Sequence, residues 1–252
     1  MITKRLINKY IFIISLIILG TGSGILLSFI LIRQLNIVLP RPLQPTTSFI
    51  TISTSSIEQL LQDNKYFDAY TMALQYLHQH SDSLNAYLYL GNTLFLLNNY
   101  EESNKVYQEA LNKLILTQEE KSDIYYLIGI NYQFLNYPAS ALDYFQNAIN
   151  LNPSNYKPYL ATGQILLKQK KITESLTYVQ KANSLLSNDN PQKAYCYYYL
   201  AQIYLQLKDY QAAKIMISQA LNLSNNLNAN LVPSFIDSIQ NLNTQINAAL
   251  SP

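Results

Sequence analysis

One arrangement of residues recurs four times in the chain and limits what it can fold into. Each copy has a small residue, a second small residue twelve positions later, and a large apolar residue four positions after that. This spacing predicts two antiparallel helices, in which the small residues allow a close approach and the large one fills the gap to the next copy. The four sets are Gly91, Ser103 and Tyr107; Gly129, Ala141 and Phe145; Gly163, Ser175 and Val179; and Ala201, Ala213 and Ile217.

The distance between copies is that of one known repeat. Gly129 and Gly163 are 34 residues apart, whereas the other two steps are 38 residues, with the excess in predicted loops near 114–119 and 187–191. The pattern resembles the tetratricopeptide repeat, whose period is 34 residues and whose signature runs aromatic, Leu-Gly, Tyr, Ala, Phe, Ala, Pro. This resemblance implies an all-α, right-handed solenoid of helical hairpins. The second copy carries the signature as Tyr125, Ile128, Gly129, Tyr132, Ala141, Phe145, Ala148 and Pro153.

The repeat organisation extends beyond the four copies, which occupy residues 84–223. Residues 55–83 predict a degenerate first repeat, in which Tyr66 and Ala69 keep the expected offsets. Its second helix, predicted at Tyr70–His80, lacks the large aromatic residue. Residues 232–250 have apolar residues at helical spacing after Pro233, which predicts a closing helix with one polar face. No single hairpin buries its own apolar face, so at least three are needed for stability.

The N-terminal part of the sequence is basic and apolar and contains no repeat. After a basic flank at residues 1–9, residues 10–32 are uncharged and as a helix span about 35 Å, enough to cross a bilayer. They predict a retained transmembrane anchor, and a cleaved signal peptide is the alternative. Gly20, Gly24 and Ser28 form a small-residue stripe on which another membrane helix can pack, although ordinary glycine usage in membrane helices is the favoured explanation. Residues 33–54 form a linker rich in proline, threonine and serine, and the flanking charges leave the orientation open.

The composition argues against several function classes. All three arginines lie in residues 1–45, and the rest of the chain has 12 basic and 15 acidic residues, so we expect no nucleic-acid face. Cys196 is the only cysteine and is predicted to be a packed thiol. His78 and His80 point in different directions on a helix and predict no metal site. Because no nucleotide-binding or catalytic motif is present, we expect neither an enzyme nor a bound cofactor.

The resemblance also implies where a protein partner would bind. In tetratricopeptide folds the first helix of each hairpin faces a concave groove, which holds a peptide or a helix. A carboxylate clamp is disfavoured, because Asn92 and Lys157 fit that pattern whereas Leu88, Leu127 and Ala161 do not. The groove instead combines apolar and amide side chains. Carried onto this sequence, its residues are Leu88, Asn92, Phe95, Leu96, Asp123, Tyr126, Ile130, Gln133, Phe134, Lys157, Leu160, Gln164, Lys168, Tyr195, Tyr198, Gln202 and Gln206.

The combination of one membrane anchor with such repeats narrows the biological role. Together with a composition typical of an AT-rich genome, it resembles the plastid and cyanobacterial tetratricopeptide proteins that assist photosystem I assembly. That resemblance implies a thylakoid membrane location, with photosystem I subunits or another assembly factor as partners. The rival in the same class is a bacterial inner-membrane protein that serves envelope or membrane-complex assembly. A permanent structural subunit is a further alternative, which stoichiometry would distinguish.

Overall fold

The computed structural model describes residues 53–226 and 233–250. Within these ranges the chain forms eleven helices and no strand, which confirms the predicted all-helical solenoid. No helix in the described ranges is both long enough and apolar enough to cross a membrane. The predicted basic flank, the anchor with Gly20, Gly24 and Ser28, and most of the linker lie outside the described residues.

The helices form five consecutive pairs followed by a closing helix, and each helix packs against the next along the chain. We call the first helix of a pair the A helix and the second the B helix. The pairs are α1 (Thr54–Gln62) with α2 (Tyr66–Gln79), α3 (Leu84–Leu96) with α4 (Tyr100–Lys113), α5 (Gln118–Phe134) with α6 (Pro138–Leu151), α7 (Tyr156–Lys168) with α8 (Ile172–Ser184), and α9 (Lys193–Gln206) with α10 (Tyr210–Asn226), and the closing helix is α11 (Pro233–Leu250).

The small residues of the A helices lie directly against the large residues of the B helices. A Cβ atom placed on Gly91 would lie 2.2 Å from Cε1 of Tyr107, and one on Gly129 would lie 2.5 Å from Cε1 of Phe145. Both rings are almost completely buried. Only a residue without a side chain leaves room for a ring at this distance, so the glycines set how closely the two helices approach.

The first pair uses the same contact with the sizes exchanged. Sixteen residues separate the two members of each small–large contact, and in the first pair that spacing joins Ile57 to Ala73. Both residues are fully buried and belong to one core cluster. The large residue is therefore on α1 and the small one on α2, which explains why a large residue was not found at the B-helix position. The second helix of this pair begins at Tyr66, four residues before the predicted start.

Buried polar side chains connect the helices within and between pairs. Ser103 donates a hydrogen bond of 2.8 Å to the carbonyl oxygen of Gly91, and Ser175 makes the same 2.8 Å bond to Gly163. Asn131, on the next A helix, donates through Nδ2 to Ser103 Oγ at 2.9 Å and to Asn104 Oδ1 at 2.8 Å. The small residues predicted at the B-helix positions thus also satisfy polar groups where they are serine.

Each A helix ends in a residue with left-handed backbone conformation. In every case the next N–H bonds back to a carbonyl five residues earlier, which is the Schellman arrangement. Asparagine tolerates this conformation better than lysine does, because its short polar side chain bonds locally. In two turns a tyrosine hydroxyl donates to that asparagine. The residues with positive φ are Asn64, Asn98, Asn136, Lys170 and Lys208, with φ from 58° to 62°.

Gly129→Ala is expected to lower the free energy of unfolding by up to about 2 kcal/mol, because an overpacking cost of about 1–3 kcal/mol outweighs the gain of about 1 kcal/mol in helix propensity. The double variant Gly129→Ala/Phe145→Ile reproduces the Ala201–Ile217 pair and should recover most of the loss. Urea denaturation followed by circular dichroism measures both variants together with Phe145→Ile alone. Strictly additive effects would contradict the proposed size complementarity.

Lys170→Gly is expected to raise the free energy of unfolding by up to about 1 kcal/mol, because glycine adopts a positive φ without steric cost. Gln180→Gly, in the exposed middle of α8, is the control and should lower the same free energy by about 1 kcal/mol. Denaturation midpoints that move in the same direction for both variants would contradict the assignment of the turn.

Candidate binding groove

A cavity of about 320 Å³ lies along three consecutive A helices, α5, α7 and α9. Its floor is apolar, and amide, phenol and ammonium groups stand around it. We call it the A-helix cavity. Its lining residues are Tyr126, Ile130, Tyr156, Lys157, Leu160, Ala161, Gln164, Gln192 and Tyr195.

The structure brings together six of the predicted groove residues in the A-helix cavity, and five of them lie on α5 and α7: Tyr126, Ile130, Lys157, Leu160 and Gln164. They come from two A helices, and the spacing of three or four residues places them on one face of each helix. Tyr195, from the third A helix, completes the wall. These predicted groove residues therefore lie around one cavity on the third, fourth and fifth pairs.

Three lining residues, Tyr156, Ala161 and Gln192, were not predicted to face the groove. Tyr156 is the first residue of α7 and follows Asn155, whose side chain accepts a hydrogen bond from the backbone N–H of Lys157 at 3.1 Å. Gln192 precedes α9 at the end of the inserted loop, so no repeat register applies to it. The N-cap asparagine is a signal that would have placed Tyr156 at the mouth of the helix.

The hydroxyl groups of the cavity remain protonated over the physiological pH range. Burial raises the pKa of Tyr126 to about 12, and the neighbouring Tyr156 and Asp123 contribute in the same direction. Burial also raises the pKa of Tyr156, assisted by Cys196 and Tyr195. Both phenols can therefore donate hydrogen bonds to a bound molecule, while the exposed Lys157 provides a positive charge at the rim.

Several predicted groove residues on α3 serve the fold instead. Asn92 accepts a hydrogen bond of 2.8 Å from the hydroxyl of the buried Tyr107, and so fixes the ring that fills the space beside Gly91. Leu88 packs against the core cluster that contains Tyr107. Asn92 is thus already engaged with its own pair, which removes a clamp residue from the groove.

A third set of predicted groove residues lies where the A helices end. Phe95 and Phe134 contact each other edge to face with ring centroids 5.0 Å apart, and Tyr100 contacts both rings. Lys168 and Gln206 are exposed at the same position of their helices, as is Leu96. Gln133 is partly buried, and its Oε1 atom has no hydrogen-bond partner. These residues lie at the turns between A and B helices and do not line the A-helix cavity.

The closing helix covers the C-terminal end of the predicted groove. Phe235 of α11 stacks on Tyr195 with a centroid distance of 3.9 Å and meets Tyr198 nearly perpendicularly at 5.3 Å. Burial raises the pKa of Tyr198, while hydrogen bonds with Gln202 and Ser238 oppose that change. Tyr198 and Gln202 were predicted to face a partner, but the structure engages them with each other, and Tyr198 also contacts the closing helix.

Comparison with known protein families gives matches to the repeat that the sequence pattern resembles. The family model for the tetratricopeptide repeat matches residues 122–155 and 194–227, which are the third and fifth helix pairs. Two of the five helix pairs therefore match the tetratricopeptide repeat. A search with its sequence finds no match among the curated proteins.

Several solved structures share the fold at low sequence identity. BtubC from P. vanneervenii has a TM-score of 0.62 at 15% identity, over 77% of this chain and 84% of that one. A tetratricopeptide protein of Thermus thermophilus has a TM-score of 0.57 at 18% identity, over 78% and 96%. The C-terminal part of a repeat protein from Cytophaga hutchinsonii also has a TM-score of 0.57 at 18% identity, over 78% and 70%. At such identities the likeness shows the fold alone.

The thiol of Cys196 is expected to react slowly. The residue is completely buried, and burial raises its pKa to about 12. At pH 8 a thiol reagent should modify it at least about 100-fold more slowly in the folded chain than in urea, because the thiolate is the reactive form. The unfolded thiol ionises first as the pH rises above about 9, so stability should fall over that range. Rapid labelling of the folded chain would contradict this packing, and Ser187→Cys provides an exposed control.

Proposed function

We propose that this chain is a non-catalytic, membrane-anchored scaffold that binds a segment of another protein in the A-helix cavity. The observation that carries the proposal is the composition of that cavity, where an apolar floor from Ile130 and Leu160 is surrounded by side chains that donate and accept hydrogen bonds. A volume of about 320 Å³ is at the lower end of ligand pockets and suits a few side chains of a peptide. No reactive pairing of nucleophile and base lines it.

The chemistry of the cavity describes the segment that would bind. One apolar side chain would rest on Ile130 and Leu160, and the amides of Gln164 and Gln192 would pair with peptide backbone groups. Lys157 favours an acidic residue beside the apolar one, because it is the only charged group in the lining. Aromatic walls add contact area at low entropic cost.

The membrane and photosynthetic parts of the proposal rest on the sequence. The uncharged residues 10–32 support a transmembrane anchor, and the linker that follows supports a repeat domain held near the bilayer. The resemblance to plastid and cyanobacterial assembly proteins supports a thylakoid location and photosystem I subunits, or another assembly factor, as partners. Retention of the chain in membranes after alkaline carbonate extraction would test the anchor directly.

The groove is tested by affinity capture of the tagged chain from its own host membranes. Lys157→Glu combined with Gln164→Ala should reduce the captured partner about tenfold or more, since central contacts carry most of the binding energy. The matched control makes the same two chemical changes on α8, as Lys181→Glu with Gln180→Ala, where both side chains are exposed. Equal capture by the two variants, with unchanged circular dichroism, would show that the A-helix cavity does not bind the partner.

The identity and amount of the captured protein decide the biological role. Photosystem I subunits at well below one copy per complex would support an assembly factor. A one-to-one ratio with a finished complex would indicate a structural subunit. Envelope-assembly proteins without any photosynthetic partner would favour the bacterial inner-membrane alternative and leave the scaffold itself in place.

A further inference from the structure

One edge of the solenoid exposes more apolar surface than the other. Because A and B helices alternate in direction, all A-to-B turns lie at one edge and all connections between pairs lie at the opposite edge. Of the eight large apolar side chains exposed in the described ranges, five lie at or beside the A-to-B turns, and only Ile115 lies on a connection between pairs. We call the first set the turn edge, which consists of Phe67, Leu96, Phe134, Tyr137 and Leu207.

The exposure at the turn edge is substantial, and it is continuous between the second and third pairs. Phe67 is 72% exposed, Phe134 58% and Tyr137 59%. The ring contacts of Phe134 with Phe95 and Tyr100 join the turns of the second and third pairs into one aromatic surface. Exposed apolar groups that adjoin across repeats are typical of an interaction surface.

Charge also distinguishes the two edges. The five A-to-B turns contain four lysines and two aspartates, a net of +2, whereas the connections between pairs contain two aspartates and no lysine, a net of −2. One of the turn aspartates, Asp63, pairs with Lys65 at 3.6 Å. Lys168, Lys170 and Lys171 are exposed at the turn of the fourth pair and form no ion pair with any described residue. Glu174 lies in the first turn of the following helix α8, as Asp68, Glu101 and Glu102 do in α2 and α4.

We propose that the turn edge docks on an anionic lipid surface, with its aromatic and apolar side chains in the interfacial region and its lysines on the headgroups. Aromatic residues interspersed with lysines are the combination that the membrane interface favours. Each lysine near an anionic surface strengthens the association about fivefold.

The length of the chain ahead of the repeats is compatible with this contact. Twenty residues separate the apolar run that ends at Ile32 from Ser53, and they cannot extend beyond about 70 Å. The repeats begin at the edge opposite the turns. Because α1 is only about 13 Å long, the chain ahead of it is long enough to allow contact of either edge with a bilayer that holds residues 10–32. Docking then depends on surface chemistry, and that favours the turn edge.

Tryptophan fluorescence tests this docking, because the chain has no tryptophan of its own. Phe134→Trp reports from the turn edge and Ile115→Trp, at a fully exposed position, from the opposite edge. The whole chain is incorporated into vesicles that contain brominated phosphatidylglycerol, which quenches tryptophan on contact. We expect quenching of Phe134→Trp and none of Ile115→Trp. Tyr137→Trp is a second reporter if Phe134→Trp perturbs its ring contacts.

The lysines provide the second arm of the experiment. Replacing Lys168, Lys170 and Lys171 by glutamine should lower the ratio of docked to undocked repeats about fivefold for each lysine removed. Raising the salt concentration should also lower the ratio of docked to undocked repeats. Equal quenching at both edges, or quenching that ignores vesicle charge and the lysines, would overturn the proposal. So would an absence of quenching with lysine-dependent capture of an acidic protein, which would assign the turn edge to a protein partner. Carbonate extraction of the same vesicles tests the anchor separately.

Discussion

The structure depends on how closely the two helices of each pair approach one another, and a single side-chain contact sets that distance. Gly91 against Tyr107 and Gly129 against Phe145 place almost all of the volume on the B helix, whereas Ile57 against Ala73 places it on the A helix. The helices pack in all these cases, because what the interface requires is the sum of the two volumes. The repeat pattern can therefore drift in sequence while the fold remains the same.

Hydrogen bonds add a second level of specificity to that contact. Where the B helix carries a serine, its hydroxyl satisfies the carbonyl oxygen of the glycine opposite, at a net gain of about 1 kcal/mol for each bond. Asn131 extends the connection to the neighbouring pair through Ser103 and Asn104. Where the position is alanine, as at Ala141, this bond is missing, and the hydroxyl of Ser122 instead donates to the carbonyl oxygen of Ala148 in the same pair. Adjacent pairs are thus joined with unequal strength along the solenoid.

The sequence was sufficient to predict the fold but only part of the site. Helical spacing and small residues define which faces of a helix are buried, and these do not depend on knowing the neighbours. The identity of a lining residue does depend on them. Asn92 bonds to Tyr107 of its own pair, Tyr198 lies beside Phe235 of the closing helix, and Phe134 joins the turn edge. None of these contacts can be predicted from the position of a residue within the repeat. Each depends on which side chain of another element lies close enough to make contact, and only the three-dimensional structure shows that.

The A-helix cavity and the turn edge are geometrically independent surfaces. The cavity is formed by the flanks of α5, α7 and α9, whereas the turn edge lies at helix ends and extends over repeats that the cavity does not reach, including the first. Lys157 belongs to the cavity and Lys168 to the edge, at opposite ends of the same helix α7. A rigid helix keeps these two charges apart, so a peptide and a lipid surface would not compete for them. A solenoid built in this way can hold a protein partner at a defined orientation to a membrane without any change in its own conformation.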